Sequence, residues 1–223
     1  MDWTAFALTV KLAFWTCVLI LPIAVVLARW LAWRRFTGKS FVEALVMLPL
    51  VLPPTVLGFY LLIGFSPESR LGAFVATLLG GPLVFTFAGI LVASIIINLP
   101  FAVQPIQRAF EAIAPNVREA AFVSGLSPIE TMRRVEIPLA WPGIASAFAL
   151  VFAHTLGEFG VILMIGGSIP GETRVMSIAI YDGVQAFRTA DAAVMSAVLL
   201  AFSFAAIVMV HMLARRRSDA HVH

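Results

Sequence analysis

An all-α integral membrane protein with five transmembrane helices is what the sequence predicts, on three grounds. The residues Ala, Val, Ile, Leu, Met, Phe, Trp, Tyr and Cys make up 61% of the 223 positions, and Asp, Glu, Lys and Arg only 12%. An ordinary soluble domain holds about 45–50% apolar and about 25% charged residues. The mean hydropathy is +1.00, more apolar surface than a water-soluble fold of this size hides. The apolar residues also fall in five runs long enough to cross about 30 Å of hydrocarbon as helices, which takes roughly 20 residues each. Disorder is excluded by the same composition. A disulfide framework is excluded because Cys17, inside an apolar run, is the only cysteine.

Taken in order, the first run covers 5–28. It follows an opening that carries Asp2 and no basic residue, unlike the positive start of a signal peptide, so it is expected to be retained. The second, 41–65, contains Pro49, Pro53 and Pro54. Each removes a backbone donor and disfavours helix in the residue before it, so this span must be kinked or broken where the freed carbonyls face protein or water. A short apolar piece, 71–79, stops at Gly80, Gly81 and Pro82 and reads as an interfacial or re-entrant segment. The third run is 83–103. The fourth, 137–165, holds Gly143, Ser146, Gly157 and Gly160, small residues that suit close helix packing. It also holds Glu158, a carboxylate near mid-span. Such a charge costs roughly 2.5–3.5 kcal/mol to insert, so it must face the bundle interior or a cavity and find a partner. His154 is spaced for an i,i+4 contact with it. The fifth run is 192–213, completing a transmembrane domain over 5–213, and 214–223 form a tail.

Alternation of five spans puts Arg29, Arg34, Arg35, Lys39, Arg108, Arg118, Arg133, Arg134, Arg215, Arg216 and Arg217 on one face, and only Arg70, Arg174 and Arg188 on the other. The basic face is expected to be cytoplasmic, with the N-terminus outside and the C-terminus inside. The formal charge of +3 then reflects topology and attraction to anionic membrane lipid, not nucleic acid. Lys11, in the outer half of the first span, either draws an anion toward a pathway or snorkels to the interface on its long stem.

The long cytoplasmic loop, 107–136, is the most informative segment. Asn116 is expected to cap a helix from Val117, with Glu119 at its third position. Ala120 and Ala121 leave a smooth surface for close packing, and Gly125 suits a left-handed helix stop. Ser127 and Pro128 read as the cap and first residue of a second short helix to Val135, with Pro138 opening the fourth span. The product is a projection shaped for a partner's groove, or else a simple surface hairpin.

Glu119-Ala120-Ala121, three residues, Gly125, nine residues, then Val135-Glu136-Ile137-Pro138 resembles the EAA loop of bacterial ABC importer permeases. The resemblance implies a type I ABC importer transmembrane fold. It implies a coupling helix, with Glu119, Ala120, Ala121, Gly125 and Pro138 at or beside the contact, that enters a cleft of a cytoplasmic ATPase. Arg118, Arg133 and Arg134 would be free to pair with acidic residues there. Gly38-Lys39-Ser40 is no P-loop, since Trp33 stands where the first glycine should. ATP and Mg are therefore expected on the partner ATPase, and no cofactor, metal site or catalytic residue on this chain.

Leu48 to Phe59, Leu156-Gly157-Glu158-Phe159-Gly160, and Ile169 to Thr173 followed by Met176 to Tyr181 are similar to molybdate permeases. The Gly-Glu-Phe-Gly block is shared with sulfate and thiosulfate permeases, and those anions or tungstate are the alternative cargoes. The resemblance implies a homodimer in the bacterial inner membrane with two ATPase subunits inside, a molybdate-binding protein outside, and transport by alternating access. Pro53, Pro54, Thr55, Gly157, Glu158 and Lys11 are the candidate pathway residues. Two rivals come from other classes. An intramembrane enzyme could be built on Ser94, His154 and Glu158, but no Gly-x-Ser-x-Gly block supports it. An ion-driven transporter commonly shows two related halves, and no repeat is evident.

Overall fold

The computed structural model describes residues 1–219, and every regular element among them is helical. Of the tail at 214–223, the helix runs to Asp219 and residues 220–223 lie outside those described.

Helix α1 (Trp3–Trp33) starts at Asp2, whose carboxylate accepts the Ala5 N–H at 2.9 Å, and runs on through Pro22. The second apolar run is broken in two, α2 (Lys39–Val51) and α3 (Pro54–Phe65), bent by 109°. Leu52 precedes a proline and is extended (ψ 138°), so α2 stops there, and Pro54 opens α3, where a missing N–H costs nothing. The piece at 71–79 is the short helix α4 (Arg70–Leu79), capped by Ser69 and ended by Gly80 at φ +76°. Then come α5 (Phe87–Glu111), α6 (Pro115–Val123) and α7 (Pro128–Thr131), which passes through one π turn (Met132–Glu136) into α8 (Ile137–Gly157). The chain continues as α9 (Gly160–Gly166), α10 (Met176–Gln185) and α11 (Thr189–Asp219).

Trp3–Trp33, Phe87–Glu111, Pro128–Gly157 and Thr189–Val210 are each long and apolar enough to cross a membrane, and the bent pair α2–α3 makes a fifth crossing if its halves act as one span. The run at 137–165 differs from a single straight helix: it leaves helix at Glu158 and Phe159 and resumes as α9.

The core lies between α1, α5 and α8, where Ile20, Ala24, Ala28, Ala102, Ile106, Phe110, Ala147 and Val151 are buried together. Gly143 sets the distance between α5 and α8. A Cβ there would stand 2.6 Å from the Pro105 carbonyl oxygen and would also clash with the Ala109 methyl. Outside this core, α3 rests on α9, α2 on α5, and α11 on α8 and α10.

Candidate functional sites: a polar break in the bundle and a clamped hairpin

A recess of about 530 Å3 opens where the two broken spans meet. Pro49, Pro54, Thr55, Phe101, His154, Gly157, Glu158 and Gly160 are among the residues that line it. Glycine lets the halves approach: a Cβ on Gly58 of α3 would lie 2.9 Å from Cβ of Met164 of α9, and one on Gly160 would lie 3.2 Å from Cβ of Pro54. Four of the six pathway residues named from sequence, Pro54, Thr55, Gly157 and Glu158, therefore share one wall. Pro53 forms the bend beside them, where it is the N-cap of α3. Lys11 is not among the lining residues; its Nζ sits 4.3 Å from the ring centre of Phe87, at the start of α5.

The break at Glu158 is held by polar groups from three helices. Glu158 is 8% exposed, and its Oε2 accepts the Ser94 hydroxyl at 2.9 Å. Its backbone carbonyl accepts the Ser177 hydroxyl from α10 at 2.6 Å. Asn98, one turn beyond Ser94, donates to the Ser94 carbonyl at 2.8 Å and to the Thr155 hydroxyl at 3.1 Å. The Asn98 Oδ1 lies 3.1 Å from Nδ1 of His154, whose ring packs on Phe101 at 4.3 Å. Buried hydrogen bonds of this kind hold the helices in one arrangement where their members are satisfied. The remaining oxygen of Glu158, Oε1, is buried without a hydrogen-bond partner among the described residues.

Two expectations change here. The i,i+4 contact of His154 with Glu158 does not form, because the helix ends at Gly157 and Glu158 turns toward α5, so His154 meets Asn98 instead. Ser94, one of the three groups of the enzyme reading, donates to Glu158 and is not bonded to His154. Sequence reasoning missed Asn98, Thr155 and Ser177 altogether. Asn98 carried a signal, an amide in an apolar run four residues after Ser94 on the same helix face.

At the other end of the molecule α6 and α7 form a helical hairpin. Its first helix starts at Pro115 with Ala114 as N-cap and no side-chain cap, not at Val117 with Asn116 as cap. Proline is pre-set for the first helical position, so the helix begins two residues sooner and Asn116 falls inside it. Gly125 adopts φ +82°, with its N–H on the Phe122 carbonyl (3.0 Å) and the Leu126 N–H on the Ala121 carbonyl (3.1 Å). That is the left-handed helix stop that favours glycine. Ser127 and Glu130 form a reciprocal capping box at the start of α7.

The second arm does not end at Pro138. It continues through the π turn into α8 as one 30-residue rod, Pro128–Gly157. Pro138 has no N–H for the Arg134 carbonyl, and the widened turn, in which Ile137 donates to Met132, absorbs the misfit.

Glu136 is wholly buried at this π turn. Arg29 of α1 reaches it through Nε at 2.5 Å and Nη2 at 3.3 Å, and Arg118 of α6 through Nε at 2.8 Å. The Arg118 guanidinium also lies 4.0 Å over the Trp33 ring. Arg118 is thus tied to Glu136 through its Nε and stacked on Trp33, a correction the sequence could not give because these partners stand 18 and 85 positions away. Ala121 is buried under the hairpin, whereas Glu119, Ala120 and Gly125 are exposed and Pro138 is half-buried. Val123, at 89% exposure, and Ile129, at 67%, put apolar surface at the tip.

The chain is thus a helical bundle with two broken spans around a recess and a helical hairpin beyond it. Residues 20–219 match the family of binding-protein-dependent transport system inner membrane components, and the chain belongs to that family. It is 46% identical over 219 residues to the molybdenum transport system permease protein ModB of Azotobacter vinelandii, covering 98% of this chain and 96% of that one. A probable sulfate transport system permease protein, cysT of Chlorella vulgaris, is 32% identical over 93% of this chain and 78% of its own length. The fold matches a chain of a bacterial ABC transporter involved in the import of the acidic polysaccharide alginate. The TM-score is 0.78 at 20% identity, over 96% of this chain and 78% of that one. Among the described residues no group of three or more His, Cys, Asp and Glu side chains is placed to hold a metal ion.

Proposed function

We propose that this chain is the permease subunit of an ATP-driven importer that carries molybdate across the bacterial inner membrane by alternating access. The observation that carries the reading is the 46% identity, end to end, with a molybdenum transport permease. In this reading the bent pair α2–α3 is one span, giving five, with the N-terminus outside and the C-terminus in the cytoplasm. Two copies enclose the pathway, a reading supported by Phe59, Tyr60 and Ile63 of α3, which a single chain leaves exposed. Two cytoplasmic ATPase subunits supply ATP hydrolysis, and an extracytoplasmic binding protein delivers the anion.

The hairpin is the coupling element. Glu119, Ala120, Ala121 and Gly125 shape the surface that meets the ATPase, with Val123 and Ile129 as apolar contacts, and Pro138 sets the π turn that joins the hairpin to α8. When the ATPase pair closes, the hairpin moves as a body and the spans rock about the breaks at Leu52–Pro53 and Glu158–Phe159. In the recess Glu158 is a positioning residue. A carboxylate is a poor ligand for an oxyanion, and its bond to Ser94 holds the fourth span broken. Tight binding then belongs to the binding protein and not to this chain.

The resemblance to a sulfate permease favours sulfate as the second reading. ATP-dependent uptake of labelled molybdate at submicromolar concentration, with and without this chain and with excess sulfate as competitor, separates the two. Loss of uptake without the chain and indifference to sulfate is the expected result. Unchanged molybdate uptake with lost sulfate uptake would move the cargo to sulfate.

A further inference from the structure

We propose that the Arg29 end of α1 carries a binding site for one anionic phospholipid, with its headgroup held between α1 and the hairpin and an acyl chain laid along α1. A pocket of about 540 Å3 lies there, walled by Arg29, Arg34 and Arg118 with Trp30, Trp33 and Phe122. Val26 and Trp30 also line an adjoining groove of about 670 Å3, whose walls are otherwise Pro22, Ile23 and Leu27. The two spaces therefore adjoin at Val26 and Trp30, one basic and one apolar.

The charges select the headgroup. Three guanidinium groups line the pocket, and the one carboxylate beside them, Glu136, pairs with Arg29 and Arg118, which leaves a local excess of two positive charges. Arg34 is exposed, and its guanidinium makes no hydrogen bond or ion pair among the described residues. Arg118 spends only its Nε on Glu136, so its terminal nitrogens keep donors for an anion. The Trp33 indole N–H is buried without an acceptor among the described residues. Trp30 and Trp33 are of the type that settles at headgroup level, and basic pockets between membrane helices bind anionic headgroups. A soluble anion would fill only the basic end. Ile23 and Val26, at 53% and 63% exposure, belong to an apolar floor that runs from Ile23 to Trp30, about 10 Å along the helix, and that floor needs a hydrocarbon chain. Because Arg118 and Phe122 belong to α6, a headgroup in this pocket braces the hairpin against α1. The inference rests on the chain being a bilayer protein and not on its cargo, and lipid retention is read without transport, so the two readings stand or fall separately.

The test is native mass spectrometry of the assembled transporter, permease with its ATPase, drawn from bilayers of phosphatidylcholine with a minor share of phosphatidylglycerol. Phosphatidylglycerol is expected to stay bound in preference to phosphatidylcholine. Arg34→Gln, which leaves the Glu136 cluster intact, should weaken retention about fivefold, as about 1 kcal/mol per arginine near a charged headgroup predicts. Val26→Trp should abolish retention by filling the groove with every charge in place. Equal retention of both lipids, or wild-type retention by both variants, overturns the proposal. Displacement by inorganic phosphate would make the pocket a simple anion site, and retention by the permease alone but not by the complex would give the pocket to the ATPase. Either result also overturns it.

Discussion

Glu136 is a buried carboxylate shared by two arginines from different helices, and its environment makes a sharp prediction. Removing one partner of a buried ion cluster leaves the others uncompensated, at a cost of about 3–5 kcal/mol. Glu136→Gln should therefore lower the thermal unfolding midpoint of the purified protein, and Arg118→Gln in the same background should cost much less than it does alone. Additive losses would show that the three groups do not act together. Glu158 calls for a different contrast, because its bond to Ser94 needs an acceptor and not a charge. Glu158→Gln can keep that bond and should retain most transport. Glu158→Leu leaves the buried Ser94 hydroxyl proton without an acceptor, though its oxygen still accepts from Asn98, at about 1–3 kcal/mol, and should lose transport and stability together. Equal loss in both variants would mean that the charge itself is required.

Among the elements, α5 and α8 are held at one distance by Gly143. Gly143→Leu must push them apart, and as an overpacked core it should destabilise the protein by about 1–3 kcal/mol, read as a lower unfolding midpoint at unchanged membrane insertion. Gly125→Val forces a β-branched residue into the left-handed region, at about 1–3 kcal/mol of local strain. Because the site is exposed with nothing near its Cα, the bundle should stay intact while ATP hydrolysis becomes uncoupled from uptake. Normal uptake at normal abundance would remove the hairpin from the mechanism. Elements of this kind were largely legible in the sequence. Proline rules foretold that the second run is kinked or broken, though not at which of Pro49, Pro53 and Pro54, and glycine and capping rules foretold the turn at Gly125 and the start of α7, because those depend on a few neighbouring residues. The break at Glu158 was not legible. No proline stands there, and what stabilises it is Ser94 and Ser177, 64 and 19 positions away. Arg118 was misassigned for the same reason: an arginine beside a recognised motif looks exposed until Glu136 and Trp33 are brought to it by the fold.

On the scale of the whole molecule, the proposed topology has a direct test. Cys17 is buried, so a Cys17→Ala background is silent toward soluble thiol reagents. In it, Pro170→Cys should react with a membrane-impermeant maleimide in intact cells, and Ser124→Cys only after the membrane is opened. The reverse pattern would invert the orientation read from the arginines. The same long view gives α1 a mechanical meaning. At 31 residues it is about 46 Å long. At one end Asp2 pairs with Arg174 at 3.6 Å, and the Thr9 hydroxyl accepts the Met176 N–H at 2.7 Å, which ties it to the segment before α10. At the other end Arg29 grips Glu136. A helix anchored at both ends is a tie rod. Under the proposed mechanism a push on the hairpin would travel along α1 to its other end without crossing the recess, so the two ends would stay in register while the broken spans between them change shape.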